Sequence, residues 1–220
     1  MSLLDVLLEG SEQFRSTYIK YAERLPDKPR KKLAILTCID TRLIPIRIFH
    51  INIGDALILR NAGNKVTDDV IRSLVVGIAN EVTEIVILGH TDCALTKISR
   101  QKVSSALQKL GGTLGLTAQI TFNEWIGTFS DEELNVKNQV ELLRSSSMIP
   151  STIPIHGLLF NVVDGTIKVV VNGYEMLKQP KSGVKSIGLT ITMPDLKMPP
   201  IDLGSLFTSL SKSRDLHPEK

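Results

Sequence analysis

The sequence predicts an α/β fold: a central, mostly parallel β-sheet with flanking helices. Three observations lead there. Leu33-Ala34-Ile35-Leu36-Thr37, Ala56-Leu57-Ile58-Leu59 and Glu84-Ile85-Val86-Ile87-Leu88 are continuous rather than alternating apolar runs, as expected of strands covered on both faces. A helical stretch over about Asp68–Asn80 separates the second run from the third, the strand–helix–strand spacing of a parallel unit. Late in the chain, Ile155–Val162 and Thr166–Val171 flank Asp164-Gly165, a hairpin signal that adds one antiparallel pair.

The elements follow in order. Residues 2–24 mix apolar and charged residues at helical spacing, with Leu4, Leu7, Leu8, Phe14, Tyr18 and Tyr21 able to line one side. Pro26 and Pro29 end this N-terminal helical arm, taken as residues 1–30. Gly54-Asp55 marks the turn into the second strand. Thr67 is placed to cap the helix that follows, with Asp68 and Asp69 where the helix dipole favours negative charge. After Cys93 the chain is expected to be helical to about Leu110, until Gly111, Gly112 and Gly115 break it. Thr117–Trp125 and Asp131–Ser145 are two further expected helices. From Lys178 the composition shifts, with half of the ten prolines falling there. The expected organisation is one domain over 1–176 and a C-terminal extension over 177–220, a tail or oligomerisation arm. Leu203–Leu210 is a short helix candidate within it.

Composition narrows the function classes. At 220 residues the chain can bury one sizeable core. A net charge of +3 gives no reason to invoke nucleic acid or an anionic membrane. The apolar runs are too short to span a bilayer. Met1–Gly10 carries Asp5 and Glu9 and lacks the basic start of a signal peptide, so a cytoplasmic location is expected.

The chemistry is concentrated in two patterns, Cys38-Ile39-Asp40-Thr41-Arg42 and His90-Thr91-Asp92-Cys93, which hold the only two cysteines. Each begins where an apolar strand ends. The carboxyl ends of parallel strands open on one edge of a sheet, so topology brings the two patterns together. Two thiols and an imidazole are three ligands, the number a catalytic zinc uses while leaving a position for water. A buried cysteine alone is ordinarily a small hydrophobe, and an isolated H-x-x-C is weak; the conjunction carries the reading. Cys38, Asp40 and Arg42 share a face if the segment stays extended. Arg42 would then hold Asp40 ionised and oriented. His50, His156 and His217 lack such a setting and read as structural or solvated.

At these residues the chain resembles the β-class carbonic anhydrases. The resemblance rests on C-x-D-x-R at Cys38–Arg42, R-N-A-G at Arg60–Gly63, T-D-D-V-I-R-S-L at Thr67–Leu74 and H-T-D-C at His90–Cys93, in the family's order and spacing. It covers about residues 1–172. It implies a helical arm packed on a partner subunit, and homodimers or higher homo-oligomers. It further implies one zinc ion per subunit, held by Cys38, His90 and Cys93, with Asp40 and Arg42 as the catalytic dyad. The implied reaction is the reversible hydration of carbon dioxide to bicarbonate by zinc-bound hydroxide. In the family the aspartate either pairs with the arginine or swings onto the metal. Gly63 and Ala94 are placed at the substrate pocket. Ala94 stands where the family usually has glycine.

The similar branch also contains hydrolases of carbon disulfide and carbonyl sulfide, linear substrates open to the same attack. The motifs do not separate these from carbon dioxide. A non-catalytic zinc module, with Asp40 as fourth ligand, is the rival of another class. A redox dithiol leaves His90 and the Asp–Arg pair unexplained, and nucleotide binding lacks a G-x-G-x-x-G or a P-loop. Two thiolates and a neutral imidazole cancel the dication's charge, so activity is expected to rise towards mildly alkaline pH.

Overall fold

The computed structural model describes residues 1–22, 25–116 and 121–178. In chain order these form α1 (Leu3–Ala22), β1 (Leu33–Cys38), α2 (Pro45–Ile48), β2 (Ala56–Asn61), α3 (Asp68–Ala79), β3 (Glu84–His90), α4 (Arg100–Lys109), α5 (Phe122–Ile126), α6 (Glu132–Ser145), β4 (Ile155–Phe160), β5 (Ile167–Val171) and α7 (Gly173–Leu177). The strands form one sheet in the order β2-β1-β3-β4-β5. All neighbours are parallel except the β4–β5 hairpin.

β1 and β3 lie at the centre, and their apolar runs are buried almost throughout. Side chains alternate across a strand. Ala34, Leu36, Ile85 and Ile87 therefore enter one core with Val70 and Leu74 of α3 and Val140 and Leu143 of α6. Ile35, Val86 and Leu88 enter a second core with Leu43, Ile51 and Leu95. Each fully buried aliphatic side chain contributes about 1.5–3 kcal/mol relative to exposure. The covered faces are the physical reason for the unbroken apolar sequence. β2, with neighbours on one side only, is less deeply buried.

The helix starts follow their caps. Thr67 Oγ1 accepts the Val70 N–H at 3.4 Å and Asp131 Oδ1 accepts the Leu134 N–H at 2.8 Å. Thr121 and Glu124 form a reciprocal capping box at α5.

The structure departs from expectation in several places. The helix expected from Cys93 to Leu110 is interrupted: Ala94–Thr96 makes a single 3₁₀ turn, and α4 begins afresh at Arg100. The cause is local competition by hydroxyls. Thr96 Oγ1 donates to the Cys93 carbonyl at 2.8 Å, and Ser99 Oγ accepts the Lys102 N–H to start the new helix. α5 begins at Phe122, and residues 117–120 lie outside the described residues. α2, α7 and a 3₁₀ turn over Ala62–Asn64 are additional. Pro45 at the first turn of α2 is the signal for that helix. Except for residues 177 and 178, the expected extension, with the helix candidate Leu203–Leu210 and His217, lies outside the described residues.

Candidate metal centre

The centre is assembled at the carboxyl ends of β1 and β3. Cys38 is the last residue of β1 and His90 the last of β3. The backbone after His90 turns sharply, with Asp92 in the left-handed region at φ 57°. That turn returns Cys93 towards β1. Cys38, His90 and Cys93 are all buried, and the ligand atoms they offer lie within 4.8 Å of one another. Neither cysteine is in a disulfide.

His90 shows how this site is prepared. Its Nδ1 lies 2.9 Å from the Thr91 carbonyl oxygen, which can only accept, so Nδ1 carries the proton. Nε2 is then the nitrogen with a free lone pair. It is buried with no hydrogen-bond partner among the described residues. An unsatisfied buried imidazole nitrogen beside two thiols fits a metal ion, because coordination would satisfy all three groups. The Thr91 end of the turn is held by the hairpin: its N–H donates to Phe160 O at 3.0 Å, and its hydroxyl accepts the Val162 N–H at 3.1 Å.

The thiols are electrostatically distinct without metal. Cys38 is pushed well below the usual thiol range, chiefly by the Cys93 thiol beside it, with the Gly63 N–H also donating to its sulfur. Cys93 is pushed up, because it keeps the proton beside the Cys38 thiolate. Burial opposes charge on His90, but the neighbouring Cys38 thiolate outweighs it and raises the ring's pKa.

Asp40 and Arg42 form a two-point pair. Arg42 Nε donates to Asp40 Oδ1 at 3.0 Å and Nη2 to Oδ2 at 2.8 Å. The segment is not extended, so the shared face expected for Cys38, Asp40 and Arg42 in an extended strand does not form; a turn makes the pair instead. Asp40 Oδ1 also accepts the Arg42 backbone N–H, and Leu43 N–H donates to Asp40 O. A carboxylate bonding the backbone two residues on favours a turn over a strand. The Arg42 guanidinium holds the Asp40 carboxyl far below the ordinary carboxylate range. Arg42 is in turn anchored by Asp92, through Oδ2 at 3.1 Å and the carbonyl at 3.2 Å. Lys97 pairs with the same Asp92.

The R-N-A-G segment closes the other side. Arg60 donates to the carbonyls of Cys38 at 3.1 Å and Asp40 at 2.7 Å. Gly63, at φ 75°, presents its N–H to Cys38 Sγ at 3.3 Å. A Cβ on Gly63 would stand 2.5 Å from Leu95 Cδ1 and 3.2 Å from Phe129 Cε1. Ala94 itself is exposed; the side chain after Cys93 that packs on Gly63 is Leu95. Sequence alone gives Leu95, Phe129, Asp92 and Arg60 no site role, nor Asn135 and Gln139 of α6. The last two left a signal: amides four residues apart, interleaved with Val136 and Val140, must lie towards a buried face.

The remaining histidines stand elsewhere. His50 is exposed at a positive φ. His156 accepts the Gly173 N–H at Nδ1, lies 3.1 Å from Glu84 and stacks edge-on against Tyr174.

Comparison with known proteins bears on the chain as a whole. The carbonic anhydrase family model matches residues 33–167. The candidate carbonic anhydrase YtiB of Bacillus subtilis is 32% identical over 189 residues, covering 79% of this chain and 99% of YtiB. A carbon disulfide hydrolase of Acidithiobacillus thiooxidans is 30% identical over 182 residues, covering 76% of this chain and 90% of the hydrolase. The crystal structure of β-carbonic anhydrase isoform I from Trichomonas vaginalis superimposes with a TM-score of 0.69 at 30% identity, covering 79% of this chain and all of that one. From the matched span, the overall similarity and the fold, this chain belongs to the β-carbonic anhydrase family.

Proposed function

We propose that the chain catalyses the reversible hydration of carbon dioxide to bicarbonate at a zinc ion held by Cys38, His90 and Cys93, one per subunit. The observation that carries this reading is the buried donor trio, with His90 Nε2 unsatisfied. Bound there, zinc would supply Lewis acidity and lower the pKa of a bound water, less strongly than a three-histidine site would. Two thiolates and a neutral imidazole balance the charge of the dication. Asp40, kept ionised by Arg42, accepts a hydrogen bond from the attacking oxygen and orients its lone pair towards the carbon. Asp92 keeps Arg42 in place for that task. Leu95 and Phe129 give the site an apolar side, suited to an uncharged linear substrate. We assign Gly63 and Ala94 to the substrate pocket. The proton released must leave to buffer, since His90 is committed to Thr91 and the metal.

A second reading, hydrolysis of carbon disulfide or carbonyl sulfide by the same attack, is favoured by the similarity to the Acidithiobacillus protein. The engagement of Asp40 with Arg42 speaks against a non-catalytic module in which Asp40 is the fourth ligand. Unpaired thiols suit a reducing compartment, which supports a cytoplasmic location. Among the described residues no helix is long and apolar enough to cross a membrane. The exposed apolar side chains of α1 support a homodimer or larger homo-oligomer.

Metal analysis followed by stopped-flow carbon dioxide hydration, with carbon disulfide and carbonyl sulfide in parallel, tests the reading. Zinc near one per chain with carbon dioxide turnover is expected. Turnover confined to a sulfur substrate would establish the second reading. Zinc without turnover of any of the three would overturn both.

A further inference from the structure

The turn after β2 is gripped by a buried amide cluster with no part in the scheme above. Asn135 and Gln139 lie one helical turn apart on α6, both buried. Asn135 Nδ2 donates to the Gly63 carbonyl at 3.1 Å. Its Oδ1 accepts from Lys65 Nζ at 2.8 Å and from Gln139 Nε2 at 3.2 Å. An ammonium can only donate, so Lys65 fixes which end of the Asn135 amide faces Gly63. Gln139 Oε1 accepts the Val66 N–H at 2.8 Å. The amides thus hold both ends of residues 63–66. From the strand side, the Asn61 side chain bonds both the N–H and the carbonyl of Lys65.

This arrangement is costly. Burying polar side chains is unfavourable unless each is paired. Gly63 and Asn64 are consecutive left-handed residues, at φ 75° and 48°; glycine adopts this freely, whereas Asn64 is held there by the surrounding structure. A plain strand-to-helix connection needs neither. The turn reaches the metal centre through the Gly63 N–H, which donates to Cys38 Sγ. A donor on a thiolate ligand draws charge from sulfur, and such outer partners tune both metal affinity and reactivity.

We propose that Asn135 is a positioning residue for the metal centre: by holding the Gly63 carbonyl it keeps the Gly63 N–H on Cys38 Sγ, with Lys65 and Gln139 fixing Asn135 in turn. The inference rests on Cys38 being a metal ligand. Asn135→Asp separates the roles of the two amide atoms. It keeps an acceptor for Lys65 and Gln139, but sets an oxygen against the Gly63 carbonyl. Asn135→Leu removes both functions without adding charge. Val140→Ala, on the same helix but outside the cluster, controls for general loosening.

Two readouts apply. The first is hydrogen exchange of the Gly63 amide, by NMR on metal-free full-length chain. The second is the thiolate-to-metal charge-transfer band and dissociation constant of the cobalt-loaded chain. Both Asn135 variants are expected to speed Gly63 exchange at least about tenfold, shift the band and weaken cobalt binding about 10–100-fold. Val140→Ala is expected to leave the band in place. If Asn135→Leu does not fold, the Asp variant alone decides. Unchanged Gly63 exchange in the Asn135 variants, or an equal band shift in Val140→Ala, overturns the proposal. If the unaltered chain takes up no cobalt, the metal reading falls and this inference with it. Gly63 exchange, read without metal, distinguishes that failure from failure of the grip itself.

Discussion

Asp40 has its charge, its orientation and its backbone turn all settled by Arg42, a residue two positions away. That pairing makes the carboxylate a fixed acceptor at the rim of a buried thiol–imidazole cluster. Asp40→Asn keeps the shape and removes the charge. The expected result is a fall in kcat of about 10²-fold or more, with zinc content unchanged. Stopped-flow rates with parallel metal analysis check it; loss of zinc in step with rate would instead make Asp40 part of the metal cage. Gly63 is constrained by backbone and by space. Gly63→Ala would need a side chain at φ 75° and would press on Leu95 and Phe129. It is expected to destabilise the chain by roughly 1–3 kcal/mol, read from urea unfolding. At this scale the sequence was legible where chemistry is rare: one cysteine ending a strand, and a second three residues after a histidine that ends another. The structure brings those three together. Asn135, Gln139 and Leu95 were not legible as site residues because amides and leucines are common, and their importance comes from what they touch across the fold.

Elements matter here by what they deliver to the strand ends. α6 presents Asn135 and Gln139, and its first turn is capped by Asp131 with Glu132 and Glu133 following. Asp131→Ala removes the acceptor for the Leu134 N–H and is expected to cost about 1 kcal/mol, seen as a lower urea midpoint. The turn into β2 depends on Asp55, which accepts the Asn52 N–H at 2.9 Å and Arg30 Nε at 2.8 Å. The Asn52 N–H first, and Arg30 second, hold the Asp55 carboxyl below its usual range. The folded chain therefore binds that proton less readily than the unfolded one, whose pKa is about 3.9. The contribution of Asp55 is complete above that value and is lost as pH falls through the folded one. In urea titrations Asp55→Asn should be less stable than the unaltered chain at pH 7, and the gap should narrow as pH is lowered past about 4. A gap independent of pH would remove the carboxylate's charge from the explanation. β1, β3 and α3 were legible because uninterrupted apolar strands and a capped helix are decided locally. The break between Cys93 and α4 was not, because helical spacing is blind to the Thr96 hydroxyl that turns back on the Cys93 carbonyl. α7 was hidden for another reason: Asn172 caps it, and Gly173 fits flat against the Ile155 backbone, a contact formed only once the hairpin exists.

Among the described residues α1 runs against the hydrophobic logic of the fold. α1 carries Leu4, Leu7, Leu8 and Phe14 at helical spacing, yet Leu4 is 63% and Leu7 62% exposed, and Leu8 and Phe14 are more than half exposed. A helix of twenty residues is about 30 Å long and marginal in water without a packed face. The two faces of the sheet fill their cores with other elements. Among the described residues nothing covers the apolar stripe, and we propose that a second copy does, since a two-fold axis buries the same stripe twice. Deleting residues 1–24 removes the stripe and leaves β1 to α7 intact. The unaltered chain is expected to sediment at twice the chain mass or a higher even multiple. The truncated chain is expected to fall to a smaller assembly, with its sheet signal retained in circular dichroism. Sedimentation of the unaltered chain as a monomer at micromolar concentration would refute this assignment of the stripe, and equal masses before and after truncation would move the interface off α1.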